Sequence, residues 1–156
     1  MEGMATHQQQ SLDRIAFSAT VHCLTGCAIG EVLGMVIGSA LGFSDLGTIA
    51  LAVALAFLFG YSFTSLPLLR SGMALGAVVP IALAADTISI AIMEIVDNAI
   101  MLLIPGAMEA TLDDPGFWAA LAVALAIAGA AAYPVNGWLL SRGKGHAVVH
   151  AHHHGH

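Results

Sequence analysis

The chain has 156 residues, of which 58% are hydrophobic and 9% charged, against roughly 25% charged residues in a soluble domain. A formal net charge of −6 with only four basic residues excludes the basic patch that a nucleic-acid partner requires. There is no Walker motif, Rossmann glycine fingerprint or nucleophile elbow, so the sequence does not predict an enzyme.

The first ten residues are polar, with neither a basic flank nor a small-residue cleavage site, so no signal peptide is expected. Residues 1–14 are expected to form a cytoplasmic N-terminal segment. Four apolar stretches follow, each long enough for a bilayer crossing of about 20 residues. The first runs from Ile15 to Leu41. It carries two interlocking four-residue repeats, and residues four apart share nearly one helix face. Gly26, Gly30, Gly34, Gly38 and Gly42, with His22 in register, permit close approach of another helix. Cys23, Cys27, Glu31 and Met35 set two sulfurs, a carboxylate and a thioether along the adjoining stripe. The cysteine spacing does not suit a relaxed disulfide, and a reduced or metal-bound pair is expected.

The second span runs from Gly47 to Leu66, with Pro67 after it. The third runs from Gly72 to Ile104, too long for one straight crossing, and Pro80 is expected to divide a turn from the span proper. Asp86, Met93, Asp97 and Met101 fall on one broad face of it, with Glu94 and Asn98 beside them and Met108 beyond Pro105. A methionine stripe alone is ordinary core filling. Three acids on one span cannot all face lipid, and intramembrane ionisable groups mark ion pathways. The fourth span runs from Phe117 to Leu140, with Trp118 and Trp138 near its two ends, where interfacial indoles belong. With Tyr61, Thr64, Tyr133 and Asn136 as their main polar groups, the second and fourth spans are expected to form a lipid-facing jacket.

The expected fold is therefore an all-α integral membrane protein: a four-helix transmembrane domain over residues 15–141, joined by short loops. Arg14, Arg70, Arg142 and Lys144 fall on one side of four spans, which puts that side and both termini in the cytoplasm, N-in and C-in. Asp45, Glu109, Asp113 and Asp114 fall on the other. Residues 142–156 form a histidine-rich cytoplasmic tail. His146 and His150, with His152, His153, His154 and His156, read as a metal-binding tract, the alternative being a tail that binds metal only incidentally.

The first and third spans run in the same direction, so depth can be matched. His22 and Cys23 fall level with Asp86, Cys27 with Met93 and Glu94, Glu31 with Asp97 and Asn98, and Met35 with Met101. Thiolate and thioether ligands favour Cu(I), and thiolate with imidazole suits Zn(II). The function expected is transport or channelling of a transition-metal ion, copper first and zinc second, with a cytoplasmic metal chaperone as a partner besides the lipid bilayer. The glycine row, and the small size of one bundle, suggest a homo-oligomer. A proton or alkali-cation channel that uses the acids is one alternative. A membrane metal sensor or chaperone without transport is another.

The strings HCLTGCAIGEVLG, ADTISIAIMEIVDNAIM, IPGAM and RGKGHAVVHAHHH resemble a family of small bacterial four-span membrane proteins, a domain of unknown function often found near copper-handling genes. The resemblance implies a multi-pass protein of the bacterial inner membrane. It supports treating His22, Cys23, Cys27, Glu31, Met35, Asp86, Met93, Glu94, Asp97 and Met101 as one constellation. The methionine pattern is only loosely similar to that of eukaryotic copper transporters, because Met93 and Met101 stand eight apart with Asp97 between them.

Overall fold

The computed structural model describes residues 2–141. They form four α-helices: α1 (Glu2–Leu41), α2 (Asp45–Arg70), α3 (Leu75–Leu103) and α4 (Pro115–Ser141). Each is long and apolar enough to cross a membrane, and the described residues contain no strand. The all-α expectation holds, and four such helices make this a multi-pass membrane protein in contact with lipid. Residues 2–14, His7 among them, are part of α1 and not a separate segment ahead of it.

Besides this early start of α1, two expectations at prolines are corrected. α2 does not stop before Pro67 but runs on to Arg70, and the Pro67 carbonyl accepts the Ser71 N–H at 3.0 Å. α3 passes through Pro80 without a break. Pro80 lies in the second turn, where its missing N–H removes only one bond, the one to Gly76. Spanning helices tolerate such losses because neighbouring groups take up the freed carbonyls.

The helices alternate in direction around a square. α1 packs on α2 and α4, α3 packs on α2 and α4, and α1 meets α3 across the short diagonal, while α2 and α4 make no contact among the described residues. The α1–α2 contact is a row of small residues on both sides. Gly26, Gly30, Gly34 and Gly38 oppose Gly60, Ala56, Ala52 and Thr48 in antiparallel order. A Cβ on Gly26 would stand 3.0 Å from the Gly60 nitrogen, and one on Gly30 would overlap the Ala56 backbone. The glycine row is thus occupied within the chain and no longer argues for a homo-oligomer. Gly42, its fifth member, has another role. At φ 70° it ends α1, and Phe43 N–H reaches back to the Gly38 carbonyl at 2.8 Å. Ser44 then caps α2 by accepting the Gly47 N–H at 3.2 Å. Together these two residues reverse the chain in three steps and hold α1 and α2 in register.

Large apolar side chains point away from the bundle, as lipid contact demands: Ile95 is 70% exposed, and Leu58 and Leu102 are each 57% exposed.

Candidate functional site

Beside the glycine row, the second four-residue repeat of α1 looks across the short diagonal at α3. Cys23, Cys27, Glu31 and Met35 are all buried, as are Asp86, Met93, Glu94, Asp97 and Met101. The helices run parallel here, so the side chains meet in pairs, level by level. The Cys23 thiol donates to Asp86 Oδ1 at 3.7 Å. One turn on, Cys27 Sγ lies 3.9 Å from Met93 Sδ, and Glu94 also approaches Cys27. The next turn brings the Glu31 and Asp97 carboxyls together. Beyond it, Met35 and Met101 share an apolar cluster with Phe117 and Ala107, which Met108 borders. Met35 and Met108 then line a hollow of about 300 Å³ with Ser39, Glu109, Thr111 and Phe117, at the end that carries the loop acids. In that loop, the Thr111 hydroxyl beside Asp113 holds its carboxyl below the ordinary aspartate range. At each of the four matched depths a side chain of the α1 stripe therefore meets, or shares a cluster with, one of α3.

His22 is the exception. It is level with Cys23 but about 100° round the helix. It is exposed, with its ring edge-on to Phe63 at 5.7 Å, and it lines an outward-facing hollow with Phe17 and Thr25. The expectation that it joins Cys23 in facing Asp86 is corrected accordingly. His146 and His150, with the rest of the tail, lie outside the described residues.

The jacket expectation also needs correction, because α2 and α4 both send polar groups inward. Thr64 of α2 is 3% exposed and approaches Asp86. Asn136 of α4 is 2% exposed, and its Nδ2 donates to Thr20 Oγ1 of α1 at 2.9 Å, one turn beyond Cys23. Ser89 of α3 is fully buried and approaches Cys23. Sequence reasoning passed over Ser89, although it lies on the stripe three residues after Asp86 and four before Met93. Thr64 was legible as the next step of the row Thr48, Ala52, Ala56, Gly60.

The interior is rich in oxygen and short of donors. Glu31 Oε2, Glu94 Oε1, both Asp97 carboxyl oxygens, Asn98 Oδ1, Thr64 Oγ1 and Ser89 Oγ are buried and complete no hydrogen bond within the protein. Asn98 Nδ2 donates to the Glu94 carbonyl at 2.8 Å and to its Oε2 at 3.3 Å, which satisfies part of one carboxyl. Arg14 and Arg70, the described arginines, are exposed at the end of the bundle and neutralise none of these acids from within. A buried carboxylate without a partner is costly, several kcal/mol even after relaxation. A cation between α1 and α3 would be stabilised by this arrangement. Among the described residues, no three His, Cys, Asp or Glu side chains converge into a closed metal cage. Each level instead offers two facing groups, supplemented by thioether, hydroxyl or carboxamide.

No curated protein and no solved structure matches this chain. A family model does, over residues 14–145, which takes in α1 from Arg14 onward and the whole of α2, α3 and α4. The chain thus belongs to the family described as the domain of unknown function DUF4396.

Proposed function

We propose that this protein moves a transition-metal ion across the membrane along the diagonal between α1 and α3, with copper the first candidate and zinc the second. The observation that carries the proposal is the pairing of the two stripes. Sulfur and carboxyl groups on α1 meet sulfur and carboxyl groups on α3 at successive depths, all inside one bundle. Sites with few ligands suit passage, because an ion must leave each level as readily as it arrives. Met108 and Met101 with the loop acids gather the ion at one end. Glu31 and Asp97 replace part of its water. Cys27, Met93 and Glu94 hold it at mid-membrane, and Cys23 and Asp86 pass it toward the end that carries Arg14 and Arg70. That end is cytoplasmic by the positive-inside rule, and there the histidine tail or a metal chaperone receives the ion. The path lies within one copy of the chain, so a homo-oligomer is not needed to form it.

Conduction of protons or alkali cations is a second reading, favoured by the contact between Glu31 and Asp97. Both are tested with the purified protein in liposomes holding a trapped metal indicator and a pH dye. Metal flux that falls in the Cys23→Ser, Cys27→Ser double variant supports the metal path. Proton flux untouched by that variant, with no metal flux in the parent, supports the second reading. Metal binding without flux of either kind makes the protein a sensor or chaperone.

A further inference from the structure

The inner end of the path differs in chemistry from the rest. Around Cys23 and Asp86 stand two hydroxyls from two other positions, Thr64 on α2 and Ser89 on α3. Thr64 approaches the Asp86 carboxyl and Ser89 the Cys23 sulfur, yet neither hydroxyl oxygen completes a hydrogen bond within the protein. All four side chains are at most 3% exposed. Thr64 and Ser89 have no acid–base role at ordinary pH, and apolar side chains of the same size would serve packing at least as well. A buried hydroxyl oxygen left without a partner costs free energy, so its presence at two points around one thiol–carboxyl contact calls for a ligand.

We propose that Cys23, Asp86, Thr64 and Ser89 form a binding site for a borderline divalent transition-metal cation of the Zn(II) and Co(II) class. One sulfur and three oxygens from three helices make a donor set of mixed softness, too oxygen-rich to favour Cu(I). Charge agrees with this choice. A thiolate and a carboxylate together carry two negative charges, which a divalent ion neutralises with none in excess. The ion takes the place of the Cys23 thiol proton, which is released on binding. The two hydroxyls remain protonated and donate lone pairs only. With ligands on α1, α2 and α3, the filled site holds the three helices together. The inference deepens the transport proposal by naming the ion class at its inner end, and it rests on that proposal only for the route by which the ion arrives.

Cobalt(II) titration of the full-length protein in detergent tests this, read by the thiolate-to-cobalt absorption in the near ultraviolet. Histidines of the tail bind cobalt without giving that band, so they do not confuse the reading. The expected result is a band present in the parent, lost in Cys23→Ser and retained in Cys27→Ser. Thr64→Val and Ser89→Ala weaken cobalt binding about tenfold, whereas Thr64→Ser and Ser89→Thr, which keep the hydroxyl, restore it. The absence of any thiolate band overturns the proposal. So does a band that survives Cys23→Ser, a band that needs both cysteines, or an affinity indifferent to the two hydroxyls. Liposome flux separates this from the larger proposal: flux without the band removes the site alone, and the band without flux removes transport alone.

Discussion

Helix α1 packs two neighbours with two stripes of the same period, and the stripes behave as opposites. Toward α2 it offers Gly26, Gly30, Gly34 and Gly38, which let backbone meet backbone. Toward α3 it offers Cys23, Cys27, Glu31 and Met35, which meet thioether and carboxyl. The first contact has no room for a side chain at these four glycines. The second leaves oxygens on Glu31, Glu94 and Asp97 without partners. Between helices in lipid there is little hydrophobic driving force, so close van der Waals packing must hold the pair. The glycine contact supplies that cohesion. It allows the other contact to be built for binding rather than for stability, and the two sit only about 100° apart on one helix.

The largest expected effect comes from blocking the packed side. Gly30→Leu must displace the Ala56 backbone. The variant is expected to aggregate in detergent under conditions that keep the parent soluble, read by size-exclusion chromatography, since overpacking of this kind costs about 3 kcal/mol or more. A fold that survives it unchanged breaks the comparison at its base. On the other side the prediction reverses. Asp97→Asn removes a buried carboxyl and leaves the volume intact, so thermal unfolding in detergent is expected to stay equal or rise. Metal flux in liposomes is expected to fall by about 10–100-fold, the range typical of lost metal-ligand interactions. Loss of folding together with flux would make Asp97 structural.

Cys27→Ser is expected to be milder, with the fold kept and flux down about tenfold, because Met93 and Glu94 remain at that level. The smallest effect belongs to the polar pair that closes the bundle on the α4 side. Thr20→Val or Asn136→Leu removes one interhelical hydrogen bond, with an expected loss near 0.6 kcal/mol in a denaturation series. A loss beyond about 2 kcal/mol would place that pair among the determinants of the fold.

Much of this was legible in the sequence, for physical reasons. Long apolar runs fix spans, and the four-residue repeats fix which side chains share a face. Parallel direction of the first and third spans then fixes which acid meets which sulfur. What the repeats do not carry is the destination of each face. The glycine row reads equally as an intermolecular seam, and only the fold shows α2 of the same chain filling it. His22 matches Asp86 in depth, but depth does not set rotation: its register with the glycine row already places it on a different face from Cys23, the face that meets Phe63 of α2. Pro67 and Pro80 each cost one backbone bond, a loss that does not end a spanning helix, and α2 and α3 run through them. Thr64 and Asn136 stand out as polar groups in the sequence, but single hydroxyls and amides in apolar spans do not show which way they face until a partner helix places them, and Ser89 carries no signal of its own.

The most direct test of the central claim is anomalous scattering from crystals of the full-length protein soaked with zinc or silver ions, silver standing for Cu(I). The account predicts ordered peaks between α1 and α3, at the levels of Cys23 with Asp86 and of Cys27 with Met93. Peaks confined to the histidine tail or the outer surface, with none along that diagonal, would contradict it.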